Sequence, residues 1–266
     1  MKRPLLIGVI VVVVLAAGAV VPRVVMYVER QRIIAEQENV VLPPPETLPV
    51  VSSSFRSSVA VSSSIAPTPE PPPSTSIRAS VNWDVPFTSQ APLGKWEEPY
   101  KEACEEASVL MVMRYFQGRP IGSPEEADKD IVQLVHVNEA LGFSVDDTAA
   151  EIIELLNDQD PSLYALLLHD PTVQDIKKVL SEGSLVIVPA AGQQLGNPYF
   201  TPPGPVYHML VIRGYTEDGY VITNDPGTKR GEGYAYKWEL LMSAIHDWNG
   251  GDVENGGRVV VVVGKN

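Results

Sequence analysis

Cysteine is nearly absent: Cys104 is the only one in 266 residues. That excludes an intrachain disulfide, a multi-cysteine zinc site and a two-cysteine redox pair, so the fold must be held by its core. Basic side chains are scarce as well. Lys and Arg number 20 against 33 Asp and Glu, a formal net charge of −13, which is the wrong sign for a surface that neutralises phosphates. Nucleic acid is not expected as a partner. No glycine-rich phosphate loop, HExxH zinc motif or internal repeat is present. Only four histidines are available if a general base is needed.

What is present begins with an apolar run. Leu5 to Val21 carries no charge, and as a helix of about 25 Å it is just long enough to cross a bilayer. Lys2 and Arg3 precede it, which favours an N-terminus left in the cytoplasm and everything downstream exported. Three readings stand: an uncleaved transmembrane anchor over 1–28, a signal peptide cut at Ala17-Gly18-Ala19, or a merely hydrophobic terminus. The anchor is favoured because Val20 and Val21 continue the run past the cut. The expected location is therefore the membrane, as a single-pass protein with its C-terminal domain outside the cytoplasm.

Residues 29–80 read as a juxtamembrane and Pro/Ser-rich linker, with Pro43-Pro44-Pro45, Ser52-Ser53-Ser54, Ser62-Ser63-Ser64 and Pro71-Pro72-Pro73. Such a composition buries too little apolar surface to offset chain entropy and predicts disorder. The working domain is then 81–266, where 13 basic stand against 28 acidic side chains, a difference of −15.

Within it, apolar Ala107, Leu110, Met111 and Tyr115 predict a helix from Cys104 to about Gln117. Ser123-Pro124-Glu125-Glu126 and Thr148-Ala149-Ala150-Glu151 are capping boxes that open two more, to about Leu141 and Leu156. A helix is predicted over 173–180, a buried strand over 185–188, a short helix over 238–245 and a final strand over 258–263. Asp218-Gly219 between 206–215 and 220–223 signals a hairpin. Helices first and a mainly antiparallel sheet later is an α+β order.

A lone cysteine at a helix N-terminus has its thiolate favoured by unpaired amides and the dipole, as a nucleophile requires. The bland alternative is a small buried hydrophobe. Among the histidines, His136 reads as a partly buried mid-helix residue, His169 lies in a loop beside Asp170, and His246 sits near a helix end. His208 opens the apolar strand Met209-Leu210-Val211-Ile212 and is the best candidate for the base. Strand parity then selects its orienter. A two- or four-residue hairpin loop places Asp225 on the face of His208 and Asn224 on the other, whereas a three-residue loop reverses the choice.

Val85-Pro86-Phe87-Thr88-Ser89-Gln90, Trp96, Ala103-Cys104-Glu105-Glu106-Ala107-Ser108, Tyr207-His208-Met209-Leu210-Val211-Ile212-Arg213-Gly214-Tyr215 and Asn224-Asp225-Pro226-Gly227 together resemble the peptidase domain of bacteriocin-processing cysteine peptidases, in the papain-like superfamily. The resemblance covers about 82–264. It implies a papain-like fold with a helical first half packed on the sheet, Cys104 as nucleophile, His208 as general base and acid, Asp225 as its orienter and Gln90 as an oxyanion-hole donor. It implies no metal or organic cofactor. Two features depart from the pattern: Glu105 stands where glycine is usual, and Gln90 lies farther from the cysteine than in the transporter-linked members.

The sequence thus reads as a membrane-anchored extracytoplasmic cysteine peptidase hydrolysing peptide or isopeptide bonds of a protein or peptide substrate. The alternatives are a cell-wall amidase or endopeptidase acting on peptidoglycan stem peptides, and a catalytically inactive binding module on the same fold. Adjacent helical residues are rotated by about 100°, so at least one of Glu105 and Glu106 is expected to point away from Cys104 and leave it a reactive thiolate.

Overall fold

A computed structural model describes residues 25–47 and 76–266. The Leu5–Val21 run and the stretch over 48–75 lie outside the described residues. Among those described, no helix is long and apolar enough to cross a membrane. The chain divides into two compact units, one comprising residues up to Val41 with Asn197–Tyr199, the other Leu42–Gly196 with Phe200–Asn266. In the first, residues 25–39 are helical although the sequence reading assigned 29–80 to a linker. An Ala, Glu and Gln-rich stretch such as Ala35-Glu36-Gln37-Glu38 has high intrinsic helix propensity.

The second unit is α+β, with a sheet that is antiparallel throughout. In chain order it comprises β1 (Val81–Asn82), α1 (Cys104–Phe116), α2 (Pro124–Leu141), α3 (Ala149–Gln159), β2 (Leu163–His169), α4 (Val173–Ser181), β3 (Leu185–Ala191), β4 (Tyr207–Tyr215), β5 (Tyr220–Asn224), β6 (Tyr234–Lys237), α5 (Trp238–Ala244) and β7 (Val259–Lys265). The strand order is β2-β7-β3-β4-β5-β6. β1 pairs with the end of β4 that β3 does not reach. A Cβ on Gly214 would lie 2.1 Å from the Val81 carbonyl oxygen, so only glycine admits that approach.

The two central strands, β3 and β4, are buried at every residue. Because successive side chains alternate faces, this means both faces are covered. α1 and α4 pack on these strands, and α3 packs on β2 and β7. Each buried Val, Ile or Leu contributes about 1.5–3 kcal/mol. The predicted capping boxes form at Ser123 with Glu126 and Thr148 with Glu151, and a third, Thr172 with Asp175, opens α4. The shorter aspartate in the reaching position hid that third box from the sequence pattern.

Part of the expected linker is built into this unit. The N–H of Glu46 donates to the Asn82 carbonyl at 2.7 Å and its carbonyl accepts from Asp84 at 2.7 Å. Arg78 donates to both oxygens of the Glu46 carboxylate, at 2.6 and 2.7 Å. The Asn82 amide donates to the Pro43 carbonyl at 2.6 Å. Prolines lack the donor of a strand but keep the acceptor, so a Pro-rich segment can line a strand edge that supplies the N–H groups.

The β4–β5 hairpin carries two irregularities that cancel. Tyr215 pairs with Val221, and the Thr216 N–H donates to the Tyr220 carbonyl, leaving Glu217, Asp218 and Gly219 as a three-residue loop. An odd loop alone would place Asp225 on the wrong face. Arg213, however, is an extra residue bulged out between Ile212 and Gly214. Beyond it Ile212 faces Thr223 and Val211 faces Asn224, the register that an even loop would have given.

Candidate active site

α1 begins at Cys104, with no side chain capping it. The first amides of a helix have no intrahelical acceptor, and they cluster around this residue. Cys104 is buried, and the backbone of Met209, the residue after His208, lies near enough to favour its thiolate. The packing of α1 on β4 thus brings the sole cysteine to the start of the strand that carries His208.

His208 Nε2 lies 2.8 Å from Asp225 Oδ1, with the side chains 1% and 0% exposed. Asp225 Oδ1 also accepts from the Gly227 N–H at 3.0 Å, and Oδ2 from the Tyr236 hydroxyl at 2.6 Å. Burial pushes the Asp225 carboxyl up, but the His208 ring and these donors outweigh it and hold it below the usual range. An ionised Asp225 fixes the imidazole proton on Nε2, leaving Nδ1 as the basic nitrogen. The ring is braced by Phe200, edge-on at a centroid distance of 5.2 Å.

Asn224 points the other way, as the parity argument required. Its amide donates to the Val85 carbonyl at 3.0 Å, and its oxygen accepts from the Gly233 N–H at 3.1 Å. It fastens the Val85–Pro86 segment. Gln90 is reached from that segment: its N–H donates to the Pro226 carbonyl at 3.0 Å. Its side-chain amide donates at 3.0 Å to the carbonyls of both Tyr100 and Lys101, just ahead of Cys104. Here Gln90 positions the loop before the cysteine. Acting as an oxyanion donor, the role the resemblance implies, requires that amide to turn toward the sulfur.

Glu105 and Glu106 depart from expectation. Both are buried, at 1% and 4% exposure, and the Cys104 thiol donates to Glu105 Oε2 at 3.0 Å. Asp147, immediately before the Thr148 cap, is fully buried beside them, and neither of its oxygens has a hydrogen-bond partner. No cationic side chain pairs with any of the three among the described residues. Burial raises the carboxyl of Glu105 well above its ordinary range, that of Glu106 to about 8 and that of Asp147 to about 7. Burial, and then Glu105, likewise push the Cys104 thiol up. The rotation of adjacent residues is as expected, but the surroundings on both sides are protein, so neither carboxylate reaches water.

The remaining histidines stand apart from this arrangement. His136 is exposed rather than partly buried, His169 is exposed at the end of β2, and His246 Nδ1 lies 3.1 Å from the Gly256 carbonyl oxygen. The sequence reading missed Tyr236 and Phe200. The alternation Tyr234-Ala235-Tyr236 was the available signal for the strand that presents Tyr236.

The sole cysteine thus opens a helix packed on the strand that carries His208 and its buried partner Asp225, within an α+β domain. The model of the Peptidase_C39 like family matches residues 83–250, and the chain belongs to that family. It is a cysteine peptidase. No curated protein matches the chain. Similar solved structures include a C39-like peptidase from Bacillus anthracis, at 17% identity and a TM-score of 0.48, covering 70% of this chain and 98% of that one. A Prevotella intermedia prointerpain A fragment is 14% identical with a TM-score of 0.43, covering 72% of this chain and 74% of its own. The active interpain A cysteine protease of the same organism is 15% identical with a TM-score of 0.41, covering 73% and 98%.

Proposed function

We propose that the protein is a membrane-anchored, extracytoplasmic cysteine peptidase that hydrolyses peptide or isopeptide bonds through Cys104, His208 and Asp225. The observation that carries this reading is the buried 2.8 Å contact with Asp225 of His208, which stands on the strand that the helix opened by Cys104 packs against. His208 Nδ1 takes the thiol proton as Sγ attacks the carbonyl carbon, and Asp225 stabilises the imidazolium. The oxyanion is met by the Cys104 amide at the start of α1. The leaving amine takes the proton from Nδ1, and water then hydrolyses the thioester with His208 again as base. Because the resting thiol is held protonated, His208 works as a general base during attack rather than from a preformed ion pair.

The anchor rests on the Leu5–Val21 run and its flanking Lys2 and Arg3. Full-length protein should sediment with membranes and expose its C-terminal domain to protease added outside the cytoplasm; intact chain in the soluble cytosol would sink the location. Wild-type protein should cleave members of a peptide and protein library while Cys104→Ala and Asp225→Ala do not. Release of muropeptides alone would move the substrate to peptidoglycan. No turnover on any of these would establish an inactive module.

A further inference from the structure

The contact between the nucleophile and its neighbour has no part in a cysteine, histidine and aspartate mechanism. The Sγ of Cys104 lies 3.0 Å from Glu105 Oε2, and the other Glu105 oxygen is buried without a hydrogen-bond partner. We propose that Glu105 is a further catalytic residue: its neutral carboxylic acid donates a hydrogen bond to the Cys104 thiolate, and its ionisation switches the nucleophile off. This rests on Cys104 being the nucleophile.

The groups facing Glu105 favour its neutral form. On its own helix stand Cys104 and Glu106, before α3 stands Asp147, and on β4 stands the uncharged Tyr207. An ionised Glu105 would place a charge beside two buried carboxyls that have no cationic partner, with the Tyr207 hydroxyl already committed to the Asp147 carbonyl at 2.7 Å. A neutral Glu105 relieves this and has one proton to offer. When His208 Nδ1 removes the thiol proton, the S–H bond breaks, the electron pair stays on sulfur, and the Glu105 O–H turns onto it. No proton leaves Glu105. On formation of the thioester the sulfur loses its charge and the contact relaxes. Once Glu105 ionises, the same geometry makes the thiol the donor and opposes thiolate formation by like charge.

Because Cys104 is the only cysteine, alkylation of the full chain in detergent reads this sulfur alone. The midpoint of iodoacetamide labelling against pH is measured for wild type, Glu105→Gln and Glu105→Ala. Glutamine keeps a neutral donor at every pH, so its midpoint should stay close to that of wild type, where the neutral acid already supplies the bond. Alanine removes the donor, so its midpoint should rise above both. A Glu105→Gln midpoint far below wild type, as release from a carboxylate would give, overturns the proposal, and a Glu105→Ala midpoint no higher than that of Glu105→Gln overturns the hydrogen bond at its centre. Glu105→Gln should also carry turnover to higher pH than wild type, and an unmoved alkaline limb counts against it. If glutamine unfolds the chain, the wild type still decides. Its protonated-carboxyl infrared band should shift when Cys104 is carboxymethylated, and an unchanged band overturns the proposal. A wild type with no turnover would instead overturn the peptidase reading, independently of these midpoints.

Discussion

The hydroxyl of Tyr236 donates to Oδ2 of Asp225 at 2.6 Å while His208 holds Oδ1. The two partners lock the carboxylate between β4 and β6 and stabilise its ionised form. Tyr236→Phe removes a bond to a charge, worth about 1.5–3 kcal/mol, which corresponds to a roughly 10- to 100-fold fall in kcat/KM if fully expressed in the transition state. It should also raise the Asp225 carboxyl. Activity requires that carboxyl ionised, so the acid limb of the kcat/KM profile should move to higher pH. A lowered rate with an unmoved acid limb would assign Tyr236 to packing only.

Asp225 and Asn224 are adjacent, buried and serve different ends. Asp225→Ala leaves His208 without an orienter and should lower kcat by about 10³–10⁴. Asn224→Ala removes one of two donors on the Val85 carbonyl and the acceptor of the Gly233 N–H, and should cost about 1–3 kcal/mol of stability, seen as a lower thermal midpoint, with much smaller loss of turnover where the chain stays folded. Steady-state rates and thermal melts on both variants separate the roles. Equal turnover losses would show that Asn224 also holds the imidazole.

Much of this arrangement is legible in the sequence because it depends on local signals. Capping boxes at Ser123 and Thr148 mark helix starts, and the apolar run after His208 marks a buried strand. The selection of Asp225 over Asn224 shows the limit of such reasoning. The assumed even loop is in fact Glu217-Asp218-Gly219, and the face is restored only by the Arg213 bulge. That bulge is held by tertiary partners: Arg213 donates to Asn82 Oδ1 at 3.1 Å and to the Val85 carbonyl at 3.2 Å. No pattern within the hairpin encodes them. The burial of Glu105, Glu106 and Asp147 is illegible for the same reason, since sequence periodicity places a residue on a helix face without showing what covers it. Docking of Pro43 and Glu46 onto β1 is masked by a composition that otherwise signals disorder.

Gly227 packs directly against the base. A Cβ there would lie 2.9 Å from His208 Cε1 and 2.8 Å from Phe200 Cε1. A Cβ at that distance must displace one of the two rings, so Gly227→Ala should tilt the imidazole from its place on Asp225. A displacement of about 1 Å at a reacting group can cost roughly 100-fold in rate. The expected result is a large fall in kcat with KM and thermal stability little changed. Unaltered kcat would mean that Phe200 yields and the imidazole does not depend on this contact.

The buried acids also set how stability depends on pH. Burial raises the carboxyl of Glu106 to about 8 and that of Asp147 to about 7, from ordinary values near 4.5 and 3.8. The folded chain therefore binds more protons than the unfolded chain between those values, and stability falls as pH rises through that window. Asp225 works in the opposite sense. Its carboxyl is depressed on folding, so its contribution is fully present above the ordinary aspartate value and is lost as pH falls through the depressed one. The two effects place greatest stability in mildly acidic solution, above the range where Asp225 protonates and below the range where Glu106 ionises. Thermal melts of the full chain should give a higher midpoint near pH 5 than near pH 8. Glu106→Gln and Asp147→Asn should each flatten that decline by removing the ionisation, and the gain should appear at pH 8 rather than at pH 5. A wild-type midpoint that rises from pH 5 to pH 8, or variants that shift both ends equally, would show that these carboxyls ionise in the folded chain as they do in the unfolded one.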